Sequence, residues 1–283
     1  MAVLLALIAA AAYGFGDFLG GLAARRYTPL QVMALAYPAS TLIVLCAMPF
    51  FAQHFSLVGL VFSTGSGLAL VVAIWCLYSA LAIGPISIVS PITGLLSAGL
   101  PVVAGLLLGE TLAATGWAGV LLGMAAIGLV SLHGHAGDGA PHGAKPVRFA
   151  GRVVWMTLLT GIGFALSYVL THAIPAEAGL WPVLVARLVG WASILLIGGW
   201  RLCRHVDRTL LCYGVLIGAL DAVASTAMYY ALQAAQLSTT TVLISLYPVF
   251  TILLALGVLR ERLVWQQGVG IALSVLAVAL MSL

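Results

Sequence analysis

Three ionisable side chains lie well inside long apolar runs of this sequence: Asp17, Arg187 and Asp221. A charge in apolar surroundings is costly, so each should face a partner or a watery cavity. A carboxyl in such a place is suited to exchanging a proton or holding a cation. A guanidinium stays charged and suits a carboxylate or phosphate. Asp17 sits in Tyr13-Gly14-Phe15-Gly16-Asp17-Phe18-Leu19-Gly20-Gly21. On a helix Tyr13, Asp17 and Gly21 share a face, and Gly16 with Gly20 admits a close neighbour. Arg25 lies about 12 Å further along. Asp221 shares a face with Gly218 and Ser225, and roughly with Met228 and Tyr229; Arg187 has Trp191 one turn on. Trp75, Tyr78, Tyr168, Tyr229 and Tyr230 offer aromatic walls for apolar or cationic guests. Asp17 and Asp221 are thus the candidate proton or cation sites. Arg187, Tyr13, Trp75, Tyr78, Tyr168, Trp191, Ser225, Tyr229 and Tyr230 are the candidate ligand contacts. Plainer roles compete with these: Asp17 paired with a loop cation, Asp221 paired with Arg187, and aromatic rings in the core or facing lipid.

The elements that must position these groups follow from composition. The chain has 283 residues, 63% hydrophobic and 6% charged. Soluble domains are about 25% charged, so a water-facing surface cannot be built here, and soluble enzymes, nucleic-acid binders and disordered chains are excluded. A helix needs about 20 apolar residues to cross a bilayer. Ten such runs are present: 3–22, 31–52, 58–82, 86–108, 113–132, 153–172, 181–200, 210–232, 237–259 and 264–282. The first has no cationic start and carries Asp17, unlike a cleavable signal. The expectation is an all-α integral membrane protein of ten transmembrane helices, with the lipid bilayer as its solvent. Ten cations (Arg25, Arg26, Lys145, Arg148, Arg152, Arg201, Arg204, Arg208, Arg260 and Arg262) fall in or beside odd-numbered loops, and none in even-numbered ones. Positive loops stay inside, which puts the odd loops in the cytoplasm and both termini outside.

The chain also repeats itself. Under a shift of 151 residues, Leu60–Leu132 aligns with Leu211–Leu283 without a gap, with 19 identities in 73 positions. Tyr78-Ser79-Ala80-Leu81 falls on Tyr229-Tyr230-Ala231-Leu232, Ser87 on Ser238, and Leu108-Gly109-Glu110-Thr111-Leu112 on Leu259-Arg260-Glu261-Arg262-Leu263. Asp221 falls on Leu70, so the repeat itself does not require an acid there. Five spans per half make the halves insert with opposite orientation, the inverted plan of many secondary transporters. The expected organisation is a first repeat over 1–132, a polar linker over 133–152 and a second repeat over 153–283.

Two five-helix halves, each with a Leu-Gly-Glu-like turn before its fifth helix, resemble the drug/metabolite transporter superfamily, in particular ten-helix EamA-type exporters. The resemblance covers essentially the whole chain and implies export of amino acids, other metabolites or drugs. Smaller relatives in the superfamily carry a proton-binding acid on their first helix, and Asp17 is similar in placement.

Glu110 and Glu261 read as fold determinants, capping the starts of the fifth and tenth helices. Gly119, Gly123, Gly268 and Gly270 read as close helix packing. Pro91 and Pro248 could each break the fourth and ninth helices or be tolerated kinks. The linker histidines His133, His135 and His142 gain no cysteine or second carboxylate for a metal. Cys46, Cys76, Cys203 and Cys212 have no paired spacing. No HExxH, P-loop or Ser/His/Asp arrangement appears, and no cofactor is expected. The expected function is secondary active transport of a small molecule by alternating access, coupled to protons through Asp17 and Asp221, in the bacterial inner membrane, with two fused halves sufficient for a working monomer. The alternatives are an uncoupled facilitator or exchanger and, more remotely, a membrane-embedded enzyme or sensor.

Overall fold

The computed structural model describes residues 1–24, 26–51, 54–83, 86–132, 151–197, 206–258 and 265–281. Arg25, Cys203, Glu261 and the linker histidines lie outside them. The described residues are almost entirely α-helical. In chain order the helices are α1 (Ala2–Ala24), α2 (Pro29–Ala47), α3 (Leu57–Ile83), α4 (Ile86–Leu107), α5 (Ala114–Leu132), α6 (Gly151–His172), α7 (Trp181–Leu196), α8 (Arg208–Ala234), α9 (Leu237–Ile244), α10 (Tyr247–Val258) and α11 (Trp265–Met281). Five segments, in α1, α2, α3, α6 and α8, are long and apolar enough to cross a membrane alone, and the rest are shorter apolar helices. The chain is an integral membrane protein crossing the bilayer repeatedly.

Local sequence explains several boundaries. Thr28 caps α2 through its hydroxyl on Gln31 N, and the Gln31 side chain returns to Thr28 N at 2.9 Å. This is the reciprocal capping pattern, with Pro29 at the first helical position where its missing N–H costs nothing. Asp207 caps α8, accepting from Leu210 N at 2.9 Å.

The two prolines behave differently. α4 runs unbroken through Pro91, whereas the expected ninth span, 237–259, is two helices. α9 stops at Ile244, Ser245 and Leu246 form a turn, and α10 begins at Tyr247. Pro248 has no N–H to offer the Ile244 carbonyl, and its ring crowds that carbonyl. The break lies against the first helix: a Cβ on Gly14 would stand 2.5 Å from Tyr247 O, and Thr251 Oγ1 donates to Gly14 O at 3.0 Å.

Helices pack chiefly across the halves. α1 lies on α8 as α6 lies on α3; α2 on α8 as α7 on α3; α1 on α9 and α10 as α6 on α4. Three further contacts, α5 with α11, α2 with α7 and α4 with α9, join a helix to its own counterpart, and α4 also packs on α5 within the first half. Each of these pairings across the halves has its mate, as an approximate twofold relation requires. Close contacts fix the correspondence. Gly14 meets Tyr247 and Gly161 meets Leu96, and Leu96 and Tyr247 are repeat equivalents, so Gly14 matches Gly161. Gly67 and Gly218 are also equivalents; a Cβ on them would lie 2.6 Å from Ala186 O and 2.5 Å from Ala36 O. Ala36 thus matches Ala186, Tyr37 matches Arg187 and, on the first helices, Asp17 matches Phe164.

Candidate functional site

The arginine of α7 and the acid of α8 meet. Arg187 Nη1 lies 3.1 Å from Asp221 Oδ1, with Arg187 2% exposed and Asp221 19%. Asp221 Oδ2 also accepts from Ser40 Oγ at 2.6 Å. The guanidinium carbon stands 5.9 Å from the Tyr37 ring centroid, a cation–π distance. A buried pair such as this adds little net stability, but losing one partner strands the other charge.

Asp17 is different. It makes no hydrogen bond or ion pair with any described residue, and it lines a cavity of about 60 Å³. Around it stand Tyr13, Tyr37, Tyr78, Phe164 and Asp221, with aliphatic side chains completing the wall. Gly20 lets the Tyr78 ring in; a Cβ there would sit 2.5 Å from the Tyr78 hydroxyl oxygen. Because Arg187 neutralises Asp221, ionisation of Asp17 would give the cavity one uncompensated negative charge among described residues. Cavity 1 lies toward the odd-loop end. Met33 is four residues from the start of α2, and Tyr78 five from the end of α3.

A second cavity, about 20 Å³, lies toward the even-loop end. Ser63, Ser66, Ser167, Thr171, Arg187, Ser225, Met228 and Tyr229 are in its lining. Ser66 Oγ stands 2.8 Å from Ser167 Oγ and 2.9 Å from Thr171 Oγ1. Leu70 lines both cavities. Between them Asp221 faces the first and Arg187 the second, and the Tyr13 hydroxyl of the first donates to Met228 Sδ of the second at 3.5 Å. At the even-loop end Trp181 Nε1 donates to His54 O at 2.7 Å, Phe55 stacks on Trp181, and Phe51 stacks on Tyr230.

The expected contacts divide accordingly. Tyr13, Tyr78, Asp17 and Asp221 reach cavity 1; Arg187, Ser225 and Tyr229 reach cavity 2. Four do not arrive. Trp75 is 43% exposed on the outer face of α3, Tyr168 is buried in an apolar cluster with Met228 and Ala231, and Trp191 packs against the cluster that holds Ile194 and Leu210. Tyr230 stacks on Phe51 and meets Tyr229 edge to face. Tyr37, Ser40, Met33 and Phe164 are cavity or ion-pair residues that the sequence reading passed over. The helix carrying the first three has no charged residue to draw attention.

Glu110 serves a different helix start from the one expected. Its carboxylate does not cap α5, which begins at Ala114. It reaches across to the other half and accepts from Leu237 N, Ser238 N and Ser238 Oγ at the start of α9. The negative charge meets the positive end of that helix. Gly105 makes room, since a Cβ there would collide with Glu110 Oε2. Gly119 and Gly123 lie against Met281 and Val242, so these glycines serve contact between the halves.

The EamA-like transporter family matches residues 1–132 and 151–283. The chain belongs to the EamA-like transporter family. Its members are membrane transporters of small solutes, so this EamA-like chain acts on a small molecule across a bilayer. It is 25% identical over 127 residues to an uncharacterized protein of Methanocaldococcus jannaschii, covering 44% of this chain and 93% of that one. A solved crystal structure superposes with a TM-score of 0.72 at 19% identity, covering 99% of this chain and 95% of the other, which shows a shared fold.

Proposed function

We propose that this EamA-like protein is a proton-coupled exporter of small organic cations, with Asp17 the group that protons and cargo occupy in turn. The observation that carries this reading is the Asp17 carboxylate, which pairs with no described residue, in a cavity walled by Tyr13, Tyr37 and Tyr78. A carboxylate and electron-rich ring faces attract an ammonium group. Asp221, expected to share the coupling role, instead forms the compensated pair with Arg187 and Ser40; we assign it to holding the cavity wall. The odd loops are assigned to the cytoplasm by their cations, which makes cavity 1 the inward entry. A proton arriving from outside would release the cation there, and the halves would rock between the two accessible states.

Amino-acid cargo is the second reading. Its support is Arg187, whose Nε has no hydrogen-bond partner among the described residues and could take a carboxylate if Asp221 withdrew. The experiment uses sealed proteoliposomes, an imposed pH gradient, and radiolabelled tetramethylammonium, a primary amine or a neutral amino acid as cargo. Coupled amine export predicts amine movement that follows the pH gradient and stops in Asp17→Asn. Flux indifferent to the gradient would make the protein a facilitator, and preference for the zwitterion would favour the second reading.

A further inference from the structure

Arg187 is a buried cation with hydrogen-bonding capacity left over. Its side chain is 2% exposed, and Nε has no hydrogen-bond partner among the described residues. Nη1 stands 3.1 Å from Asp221 Oδ1 without hydrogen-bond alignment, so that contact is an ion pair alone. A guanidinium offers five N–H donors, and an unmet donor on a buried charge is costly. Arg187 lines cavity 2 and Asp221 does not. Among the described residues no Asp or Glu is in that lining.

The hydroxyls around the cavity are of two kinds. Ser63 and Ser225 donate to carbonyls of their own helices, Gly59 O and Ala222 O. Ser66, Ser167 and Thr171 bond one another, and either atom of each pair can be the donor. Ser167 or Thr171 can therefore turn its hydrogen into the cavity. The exchange gives up a neutral bond for one to a charge, which is about twice as strong. The volume of about 20 Å³ exceeds the roughly 10–15 Å³ that a single water needs. The space takes one particle of about that size, and the guanidinium repels a cation there.

We infer that cavity 2 binds one small inorganic anion of chloride's class, held between Arg187 Nε and the hydroxyls of α3 and α6. The anion and Asp221 then share one guanidinium. Asp221 weakens the site by repulsion, and its removal should strengthen it, because Arg187 would then need the anion as its counter-charge. An amino acid is too large for this space, so the site is separate from the carboxylate contact considered above. It rests on neither reading of the cargo.

The test is thermal unfolding of the purified protein in detergent, read by tryptophan fluorescence, with sodium chloride exchanged for sodium gluconate at constant ionic strength. A ligand bound only by the folded state raises the Tm as its concentration rises. The expected result is a rise in chloride for the parent and a larger rise for Asp221→Leu. The rise should be retained in Asp17→Asn. It should be lost in the Arg187→Met, Asp221→Leu double variant and in Ser225→Val. Ser225→Val fills the cavity with a branched side chain, as Ile74 supplies at the equivalent position, and gives up only a hydrogen bond within its own helix. The double variant decides the matter if Ser225→Val does not fold. Equal melting in chloride and gluconate for both the parent and Asp221→Leu would overturn the inference, as would a rise that survives in either variant expected to lose it. A chloride effect without amine flux would uphold the anion site and reject the cation reading; amine flux without a chloride effect would do the reverse.

Discussion

Replacing Asp221 by Leu, the residue its repeat equivalent Leu70 carries, leaves Arg187 with no counter-charge. Arg187 is 2% exposed and cannot lose its proton, so the full penalty of a stranded buried charge applies, about 3–5 kcal/mol. Replacing Arg187 by Met is milder. Asp221 keeps its Ser40 hydrogen bond, is 19% exposed to the cavity, and can take up a proton. The cost is then about 1.5–3 kcal/mol, the worth of a hydrogen bond to a charged group. With both replaced, no charge is stranded, and stability should return to within about 1 kcal/mol of the parent or exceed it. At about 2 °C per kcal/mol for a chain of this size, Asp221→Leu should lower the Tm by about 6–10 °C. Tryptophan fluorescence during thermal unfolding in detergent, run as a double-mutant cycle, measures all three. The reasoning is refuted if Asp221→Leu melts no lower than Arg187→Met, or if the double variant melts below both singles.

Other outcomes follow from the same contacts. Glu110→Ala removes the acceptor for Leu237 N and Ser238 N and should cost about 1–2 kcal/mol, the range for a lost helix cap; hydrogen exchange at those two amides should rise more than elsewhere. Gly67→Ala and Gly218→Ala each drive a Cβ into a backbone carbonyl and should each cost about 1–3 kcal/mol, whereas Gly128→Ala, with open space around it, should be neutral or stabilising by up to about 1 kcal/mol in the same melting assay. At the odd-loop end Tyr27 Oη donates to Asp207 Oδ2 at 2.7 Å. That bond, with the Leu210 N–H, holds the Asp207 carboxyl below its ordinary value, and the same bond raises the Tyr27 phenol. A lowered carboxylate contributes stability above its unfolded pKa that is lost as pH falls through the folded one. The Tm difference between parent and Tyr27→Phe should therefore persist at neutral pH and vanish in acid, below the carboxylate range.

Much of the architecture was legible because a bilayer imposes it. A run of about 20 apolar residues has few other fates, and the Leu-Gly-Glu turn of the first half, matched by Leu259-Arg260-Glu261 in the second, pointed to two related halves. What was hidden depended on facing. α3 is apolar around its whole circumference, so nothing in its sequence separates Tyr78, which faces the cavity, from Trp75, which faces outward. Pro91 and Pro248 look alike in one dimension, yet only the ninth span is interrupted. Glu110 announced itself as a helix-start carboxylate, but its reach across to α9 depends on how α4 and α9 cross. Tyr37 and Ser40 gave no charge signal; the cue available was their place opposite Arg187 and Asp221 once α2 and α7 are recognised as equivalents.

The central claim is that proton and cation compete for Asp17. It is tested most directly by mixing purified protein, in weakly buffered detergent near neutral pH with a pH-sensitive dye, with tetramethylammonium or a primary amine. The account predicts a saturable release of protons on binding that disappears in Asp17→Asn and is retained in the Arg187→Met, Asp221→Leu double variant. Proton release that survives in Asp17→Asn, or cation binding to the parent with no release at any pH, would contradict it.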